Sequence, residues 1–241
     1  MMVPTVAFAA TSSPTKVNVK SATAKSLTYN AKSQTTTIVV NGKTLTLNKD
    51  FKVVSGSLKA TKAGTYTVKI KGIGNYSGDT TVKYTVNAQQ SYKATAAAKT
   101  YNAKNQTTKV TVKYGNTVLK RGTDYKITGV TRAKNAGKYK ITVKGINNYK
   151  GTKTIYYTIN KAAQKSVKVK VNASKKKITV SGVKAKAKVT YKSANKKVKV
   201  KNGKITVGKG VKKGTKVRIT VKVAATKNYK AYSKSIIYKV K

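Results

Sequence analysis

Lysines at alternate positions are the residues of this 241-residue sequence whose type and spacing could do chemistry. They stand two apart in Lys138-Tyr139-Lys140, in Lys168-Val169-Lys170, in Lys186-Ala187-Lys188 and across residues 197–201. In a β-strand, side chains two residues apart share one face at a spacing of about 7 Å, and neighbouring strands lie about 4.8 Å apart. If these segments are strands, the pattern predicts a two-dimensional array of ammonium groups. Such an array would suit a polymer of repeating phosphates or carboxylates.

The charge balance is one-sided over the whole chain. There are 54 Lys and Arg, three Asp, no Glu and no His, which gives a formal net charge of +51. Small domains ordinarily keep a net charge of about 2 to 8 in magnitude, so the excess predicts an anionic partner. Only three of the basic residues are Arg. Because Lys acts as a mobile point charge, we expect charge-driven binding with little selectivity rather than base-specific readout.

The positive charge is concentrated in the last third of the chain. Residues 161–241 contain 26 Lys, one Arg and no acidic residue. The candidate polyanion-binding residues are therefore taken from this region, and they are Lys168, Lys170, Lys175, Lys176, Lys177, Lys186, Lys188, Lys196, Lys197, Lys199 and Lys201.

The sequence lacks most of the residue types that enzymes use for catalysis. Without His or Cys there is no imidazole base, no thiol nucleophile, no disulfide and no thiolate metal site. Asp50 and Asp124 stand before an aromatic residue, where they are predicted to form turns in which each side chain bonds the backbone two residues further on. No glycine-rich phosphate loop precedes a helical pattern, and nothing singles out a Ser–Lys pair. The sequence predicts no catalytic residues, no metal site and no cofactor, so the chain is predicted not to be an enzyme.

An internal repeat supplies the elements that would position the lysines. Residues 63–78 return as residues 136–151 at an offset of 73, and a diverged copy begins at Gly214. Repeats of fixed period indicate tandem structural units. The predicted organisation is a leader and linker at 1–15 and three β modules at 16–89, 90–162 and 163–241.

Strand and turn signals dominate each module. The β-branched run 35–40 ends at Asn41-Gly42, and a second Asn-Gly pair stands at residues 202–203, both typical of two-residue hairpins. The alanine-rich segment 94–99 looks helical alone, but it aligns with residues 22–25 and is predicted to be strand or linker. No segment has a sustained helical period. The sequence predicts an all-β protein.

Two tyrosines occupy a position with a structural interpretation. Tyr66 and Tyr139 each follow a glycine by two residues at a predicted strand start. That spacing is typical of the tyrosine corner of β-sandwiches, in which the hydroxyl bonds a nearby loop backbone. We interpret both as structural tyrosines, with stacking on a ligand as the alternative. Tyr76, Tyr149 and Tyr229, each after Asn, are interpreted as core or turn residues.

Four motifs in fixed order resemble a known family. Tyr-Asn-Ala-Lys-x-Gln-Thr, Asp-Phe/Tyr, Ala-Gly-x-Tyr and Lys-Gly-Ile-x-Asn-Tyr begin at residues 29, 50, 63 and 71 and again at 101, 124, 136 and 144. They resemble the Ig-like surface repeats of Gram-positive bacteria of the MBG type. Residues 191–198 resemble a related bacterial Ig-like group whose repeats read Tyr-Lys-Ser-x-Asn.

The resemblance covers about residues 16–241. It implies three tandem small Ig-like β-sandwich modules in an elongated array, in a secreted, wall-associated or adhesin-like protein with no catalysis of its own. The chain departs from the family in several places. The family often has Gly where Ala31 and Ala103 stand and Pro where Thr36 and Thr108 stand, and its members usually carry acidic residues.

The N-terminal ten residues resemble the end of a secretory signal peptide. A short apolar run closes on Ala7-Phe8-Ala9, although a basic n-region is missing, so a truncated leader is predicted. No apolar run is long enough to span a membrane.

The functional hypothesis is a non-catalytic secreted or wall-associated repeat protein of Gram-positive bacteria. Its lysine-covered sheet faces would bind anionic cell-wall or matrix polymers such as teichoic acids. The alternatives are an adhesin segment that binds sulfated or sialylated host glycans, extracellular nucleic-acid binding, and a spacer whose lysines only prevent pairing of strand edges.

Overall fold

The described part of the chain is built from strands and turns. Its structure is a computed structural model that describes residues 15–241, so the predicted leader lies, except for Thr15, outside the described residues. Within 15–241 there is no α-helix, and the two short 3₁₀ turns are Val19–Ser21 and Lys184–Lys186. The all-β prediction is confirmed. Accordingly, no helix within 15–241 has the length and apolarity needed to cross a membrane.

The strands are short at first and longer where the repeat is strongest. Those up to residue 87 are β1 (Val17–Asn18), β2 (Thr23–Ala24), β3 (Leu27–Thr28), β4 (Gln34–Thr35), β5 (Ile38–Val40), β6 (Lys43–Thr44), β7 (Phe51–Ser55), β8 (Lys59–Ala60), β9 (Gly64–Gly72), β10 (Tyr76–Ser77) and β11 (Asp79–Asn87). Those from residue 93 to 160 are β12 (Lys93–Ala96), β13 (Lys99–Thr100), β14 (Gln106–Thr107), β15 (Val110–Tyr114), β16 (Thr117–Val118), β17 (Tyr125–Gly129), β18 (Arg132–Ala133), β19 (Gly137–Gly145) and β20 (Thr152–Asn160). The remaining strands are β21 (Lys168–Asn172), β22 (Lys177–Ser181), β23 (Val189–Ser193), β24 (Val198–Lys201), β25 (Lys204–Val207), β26 (Lys216–Val223) and β27 (Tyr232–Lys239). Strand β12 confirms the interpretation of the alanine-rich segment.

The chain divides into two compact units, and the three predicted modules remain a sequence-based prediction. The first unit comprises residues 15–93 together with Val112–Ile127 and Val143–Lys153. In it a four-stranded sheet β3-β11-β9-β7 packs with the smaller sheets β2-β5-β6, β1-β10 and β4-β8. Ile38 from β5 lies in one core with Val68 of β9 and Tyr84 of β11. Because strands of different sheets share this core, the arrangement is a β-sandwich.

The second unit comprises Ala94–Thr111, Thr128–Thr142 and Thr154–Lys241. Its C-terminal part has a four-stranded sheet β21-β22-β25-β24 and a three-stranded sheet β23-β26-β27. One core lies between them, with Ile178 and Ile205 from the first sheet and Ile219 and Tyr238 from the second. Inward residues are Val, Ile and Tyr, while outward residues are mostly Lys, Thr and Ser, as a half-buried strand requires.

Both Asn-Gly hairpins form as predicted. Asn41 and Gly42 join β5 to β6, and Asn202 and Gly203 join β24 to β25. The two asparagines have φ 49°, and the two glycines have φ 79° and 81°. Positive φ at both central residues is the signature of the type I′ turn, whose twist matches that of paired strands.

One predicted strand is absent. Lys186-Ala187-Lys188 does not form a strand face, because Lys186 ends the 3₁₀ turn and only the residues from Val189 onward enter β23. The backbone turns sharply after Gly182 (φ 71°), and Ala185 and Lys186 have φ 53° and 49°. Left-handed residues break the alternation of a strand, so Lys186 and Lys188 are not neighbours on one face.

Two alanines stand in a conformation that favours glycine. Ala31 has φ 64° and Ala103 has φ 66°, each in the turn between a Tyr-Asn pair and a Lys. In both turns the preceding Asn accepts a hydrogen bond on Oδ1 from the N–H of the following Lys, at 3.0 Å. A left-handed residue that carries a Cβ costs about 1–2 kcal/mol. These are the positions at which the resembled family often has Gly.

Ala31→Gly and Ala103→Gly should therefore each raise the free energy of unfolding. Relief of the backbone strain exceeds the extra freedom of Gly in the unfolded chain, so the expected net gain is about 0.5–1 kcal/mol each. The measurement is urea denaturation followed by circular dichroism. Ala22→Gly is the control at negative φ, because Ala22 has φ −63° and ψ 138°. It should lose about 1 kcal/mol, since Gly is freer in the unfolded chain and Ala22 also packs against the core. A loss at positions 31 and 103 of the same size as at 22 would contradict the explanation.

Candidate polyanion-binding surface

The outer face of the four-stranded sheet β21-β22-β25-β24 is covered with lysines. Alternate residues of its strands point inward and are buried, namely Val169, Ile178, Val198 and Ile205. The exposed residues between them include Asn172, Thr179, Ser181 and Thr206. They also include six lysines, which we term the lysine face: Lys168, Lys170, Lys177, Lys199, Lys201 and Lys204. Four strands thus present their cations on one side, because each alternates an inward Val or Ile with an outward polar residue.

A row of three lysines crosses this face. Lys177 of β22 is directly opposite Lys204 of β25, and Lys204 is directly opposite Lys201 of β24. Backbones of paired strands lie only about 4.5–5.5 Å apart, and like charges placed opposite one another destabilise a sheet. Residues 161–241 contain no Asp or Glu, so no acidic side chain of this segment offsets the row. A bound anion would relieve the repulsion.

The outer face of the three-stranded sheet β23-β26-β27 mixes cations with hydroxyl groups, and we term it the mixed face. One row across it is Thr190, Lys222 and Ser233, and the next is Lys192, Thr220 and Ser235. The Thr220 and Ser235 hydroxyl oxygens are 3.1 Å apart. Further along the face, Arg218 is opposite Ile237 and Lys216 is opposite Lys239. This face offers hydrogen bonds as well as charge.

The structure brings together part of the predicted lysine set. Those that share the lysine face are Lys168, Lys170, Lys177, Lys199 and Lys201. The others lie in turns or at a strand start: Lys175 and Lys176 before β22, Lys186 in the 3₁₀ turn, Lys188 before β23, and Lys196 and Lys197 before β24.

Sequence reasoning missed Lys204 and the cations of the mixed face. Lys204 has no lysine two residues away, so the alternation did not select it. The signal that could have found it is the Asn202-Gly203 hairpin, since a two-residue turn places Lys204 opposite Lys201.

Tyr66 and Tyr139, at the strand starts, form hydrogen bonds to the backbone of the preceding loop. The hydroxyl of Tyr66 donates to the carbonyl oxygen of Lys62 at 2.8 Å, and that of Tyr139 donates to the carbonyl oxygen of Asn135 at 2.7 Å. Each ring stacks on a second tyrosine of its sheet, with centroids 5.1 Å apart. Burial raises the pKa of the hydroxyl group of that second tyrosine, Tyr84 or Tyr157.

In the first unit, the Asn-Tyr pair at 148–149 joins segments that are distant in sequence. Asn148 accepts a hydrogen bond on Oδ1 from the N–H of Ala63 at 2.9 Å, and its carbonyl oxygen accepts from the N–H of Gln89 at 2.8 Å. The ring of Tyr149 meets the ring of Tyr29 edge-on, with centroids 5.5 Å apart. Burial raises the pKa of Tyr149, and Tyr29 and Asp124 add to the shift. The pair therefore contacts the Ala-Gly and Tyr-Asn motifs of the preceding repeat.

The second unit contains the same arrangement at residues 228–229. Asn228 accepts on Oδ1 from the N–H of Ala136 at 2.8 Å, and its carbonyl oxygen accepts from the N–H of Ala162 at 2.9 Å. The rings of Tyr229 and Tyr101 meet edge-on with centroids 5.4 Å apart. The repeated motifs are thus contact partners of one another, a role beyond the core or turn function predicted for these tyrosines.

The aspartates serve turns, as predicted, with a different backbone partner. Asp50 Oδ2 accepts from the N–H of Thr46 at 2.8 Å, and Asp124 Oδ2 accepts from the N–H of Lys120 at 2.7 Å. The partner lies four residues before each Asp rather than two after it. Within residues 15–241, no group of three His, Cys, Asp or Glu side chains is placed to hold a metal ion.

Comparison with known proteins gives no family for the chain. No protein-family model matches it, and no curated protein sequence matches it. Among solved structures it is similar to Drosophila N-cadherin EC1-4, at 11% identity and TM-score 0.26 over 91% of this chain and 73% of that one. It is also similar to Sidekick-1 immunoglobulin domains 1-5, at 12% identity and TM-score 0.25 over 92% of this chain and 58% of that one. At such low TM-scores these alignments support no conclusion about fold or function. The all-β assignment rests on the strand pairing of the chain itself.

Proposed function

We propose that the chain is a non-catalytic repeat protein of the Gram-positive cell surface, of the MBG type that its motifs resemble, and that it binds anionic wall polymers through the lysine face. The observation that carries the proposal is the row Lys177–Lys204–Lys201, in which three cations meet with no acidic side chain from their segment. Without a bound anion, such a row of like charges lowers the stability of the sheet, so a purely structural role does not explain it.

The spacing of the lysine face supports a polymer of repeating phosphates, such as a teichoic acid. Each of two strands carries a pair of lysines two positions apart, or about 7 Å along the strand. The pairs are Lys168 and Lys170 on β21, and Lys199 and Lys201 on β24. Phosphates of a flexible polyol phosphate chain can meet several of these ammonium groups together. Lys imposes little geometry on its partner, so sulfated glycans and duplex DNA are the competing ligands that a test must include.

Removal of the row should weaken polymer binding much more than removal of the same charge elsewhere. The test variant is Lys177→Gln/Lys201→Gln/Lys204→Gln, assayed by isothermal titration calorimetry against purified teichoic acid. At roughly 1 kcal/mol for each lysine near an anionic surface, the expected loss of affinity is about 100-fold.

The control is Lys32→Gln/Lys49→Gln/Lys104→Gln, which removes three exposed charges from turns and should leave most of the affinity intact. Equal losses in the two variants would reject a defined lysine face. If heparin or duplex DNA binds more tightly than teichoic acid, the wall polymer would be rejected as the ligand in favour of the tighter binder.

A further inference from the structure

A cleft of about 430 Å³ lies at one end of the mixed face, within the second unit. Its lining includes Lys188, Thr190, Lys222, Ala224, Ala231 and Ser233. The cleft is apart from the lysine face, which belongs to the other sheet. None of its residues except Lys188 was selected by the alternation of lysines.

Cross-strand register explains the shape of the cleft. Thr190, Lys222 and Ser233 form one row across the three strands. In the next row the Ala224 N–H donates to the Lys188 carbonyl oxygen at 2.8 Å, and Ala231 directly precedes β27. Ala224 and Ala231 have the smallest side chains at this end of the sheet. They therefore form a depression between the longer side chains of Lys188 and Lys222.

The lining combines three kinds of group. Lys188 and Lys222 supply positive charge, Thr190 and Ser233 supply hydroxyls that can donate or accept hydrogen bonds, and Ala224 with Ala231 supplies an apolar floor. The row Lys177–Lys204–Lys201 on the other sheet differs, because it holds three lysines beside Asn172 and no hydroxyl group. A bare anion would use only the charge, whereas a phosphorylated polyol or sugar would use all three groups.

We propose that this cleft binds one phosphorylated polyol or sugar unit. Its phosphate lies at Lys188 and Lys222, its hydroxyls bond Thr190 and Ser233, and its carbon skeleton covers Ala224 and Ala231. The inference rests on the proposed function in that the ligand is the repeating unit of an anionic polymer. The lysine face then holds the polymer by charge, and the cleft recognises what lies between the phosphates.

The test is a ¹H–¹⁵N NMR titration of the full chain with glycerol 3-phosphate, with inorganic phosphate and glycerol as separate controls. We expect saturable shifts at the amides of Lys222, Ala224 and residues 231–233, with affinity for glycerol 3-phosphate roughly tenfold above that for inorganic phosphate. Equal affinity for inorganic phosphate, or shifts spread over Lys177 and Lys204, would overturn the proposal.

Two variants separate the cleft from general charge. Ala231→Leu fills the depression without changing charge and should weaken glycerol 3-phosphate binding roughly tenfold. Lys222→Gln should also weaken it, whereas Lys216→Gln, an equal charge change in a distant row of the same face, should not. Unchanged binding in Ala231→Leu would overturn the cleft assignment.

Failure of the cleft and failure of the lysine face can be told apart. The Lys177/Lys201/Lys204 variant should lose teichoic acid binding and keep glycerol 3-phosphate binding. Loss of both ligands in that variant would overturn the cleft as a separate site. If that variant keeps its teichoic acid binding, the lysine face is rejected as the polymer site and the cleft proposal still stands.

Discussion

Raising NaCl from about 50 to about 200 mM should weaken binding of the chain to teichoic acid by roughly 300- to 2,000-fold. The estimate follows from the six cations of the lysine face. Each polymer phosphate that a lysine neutralises releases a condensed counterion, and the free energy of that release falls as bulk salt rises.

The measurement is a plot of the logarithm of the binding constant against the logarithm of salt concentration. Six phosphate contacts give a slope of about −4 to −5.5, and the Lys177/Lys201/Lys204 variant should reduce that slope by about half. The Lys32/Lys49/Lys104 variant should keep it. Binding that persists unchanged in NaCl of about 1 M would show that contacts other than charge hold the polymer.

Gly203→Ala should destabilise the second unit by roughly 3–5 kcal/mol. Gly203 is buried and has φ 81°. A Cβ there would overlap the carbonyl oxygen of Ile178. The N–H of Ile178 in turn donates to the Gly203 carbonyl oxygen at 2.7 Å. The hairpin cannot move away without breaking that bond, so steric overlap adds to the backbone strain.

Gly42→Ala is the matched control for this effect. Gly42 occupies the same place in the other Asn-Gly hairpin with φ 79°, and nothing lies within 4 Å of its added Cβ. Only the left-handed strain should remain, at about 1–2 kcal/mol. Urea denaturation of the two variants gives the comparison. Equal losses would mean that contact with Ile178 does not restrict the hairpin.

Local signals in the sequence predicted most strands and both Asn-Gly turns. Alternation of Lys with Val or Ile places Val169 and Ile178 in the core and leaves Lys168, Lys170 and Lys177 exposed. The Asn-Gly pairs fix two hairpins, because few other dipeptides adopt positive φ at both positions. The repeat correctly decided between helix and strand for β12, since an aligned copy lacks its run of alanines.

Contacts between distant strands could not be read from the sequence. Which residue stands opposite Lys177 depends on the register of β22 against β25, and no local pattern states that register. Thr190, Lys222 and Ser233 are neighbours for the same reason, although 32 residues separate the first two. Lys186 misled the prediction because one left-handed turn cancels the alternation on which it depended.

The unbalanced row on the lysine face makes the stability of the fold conditional on its surroundings. In dilute buffer the three ammonium groups repel one another and lower the unfolding free energy, whereas a bound polyanion adds about 2.7 kcal/mol at one hundred times its dissociation constant. Proteases cleave the transiently opened population, which shrinks as that free energy grows. If the chain binds a polymer as proposed, copies that detach from it would be degraded first, and turnover would depend on attachment without any dedicated signal.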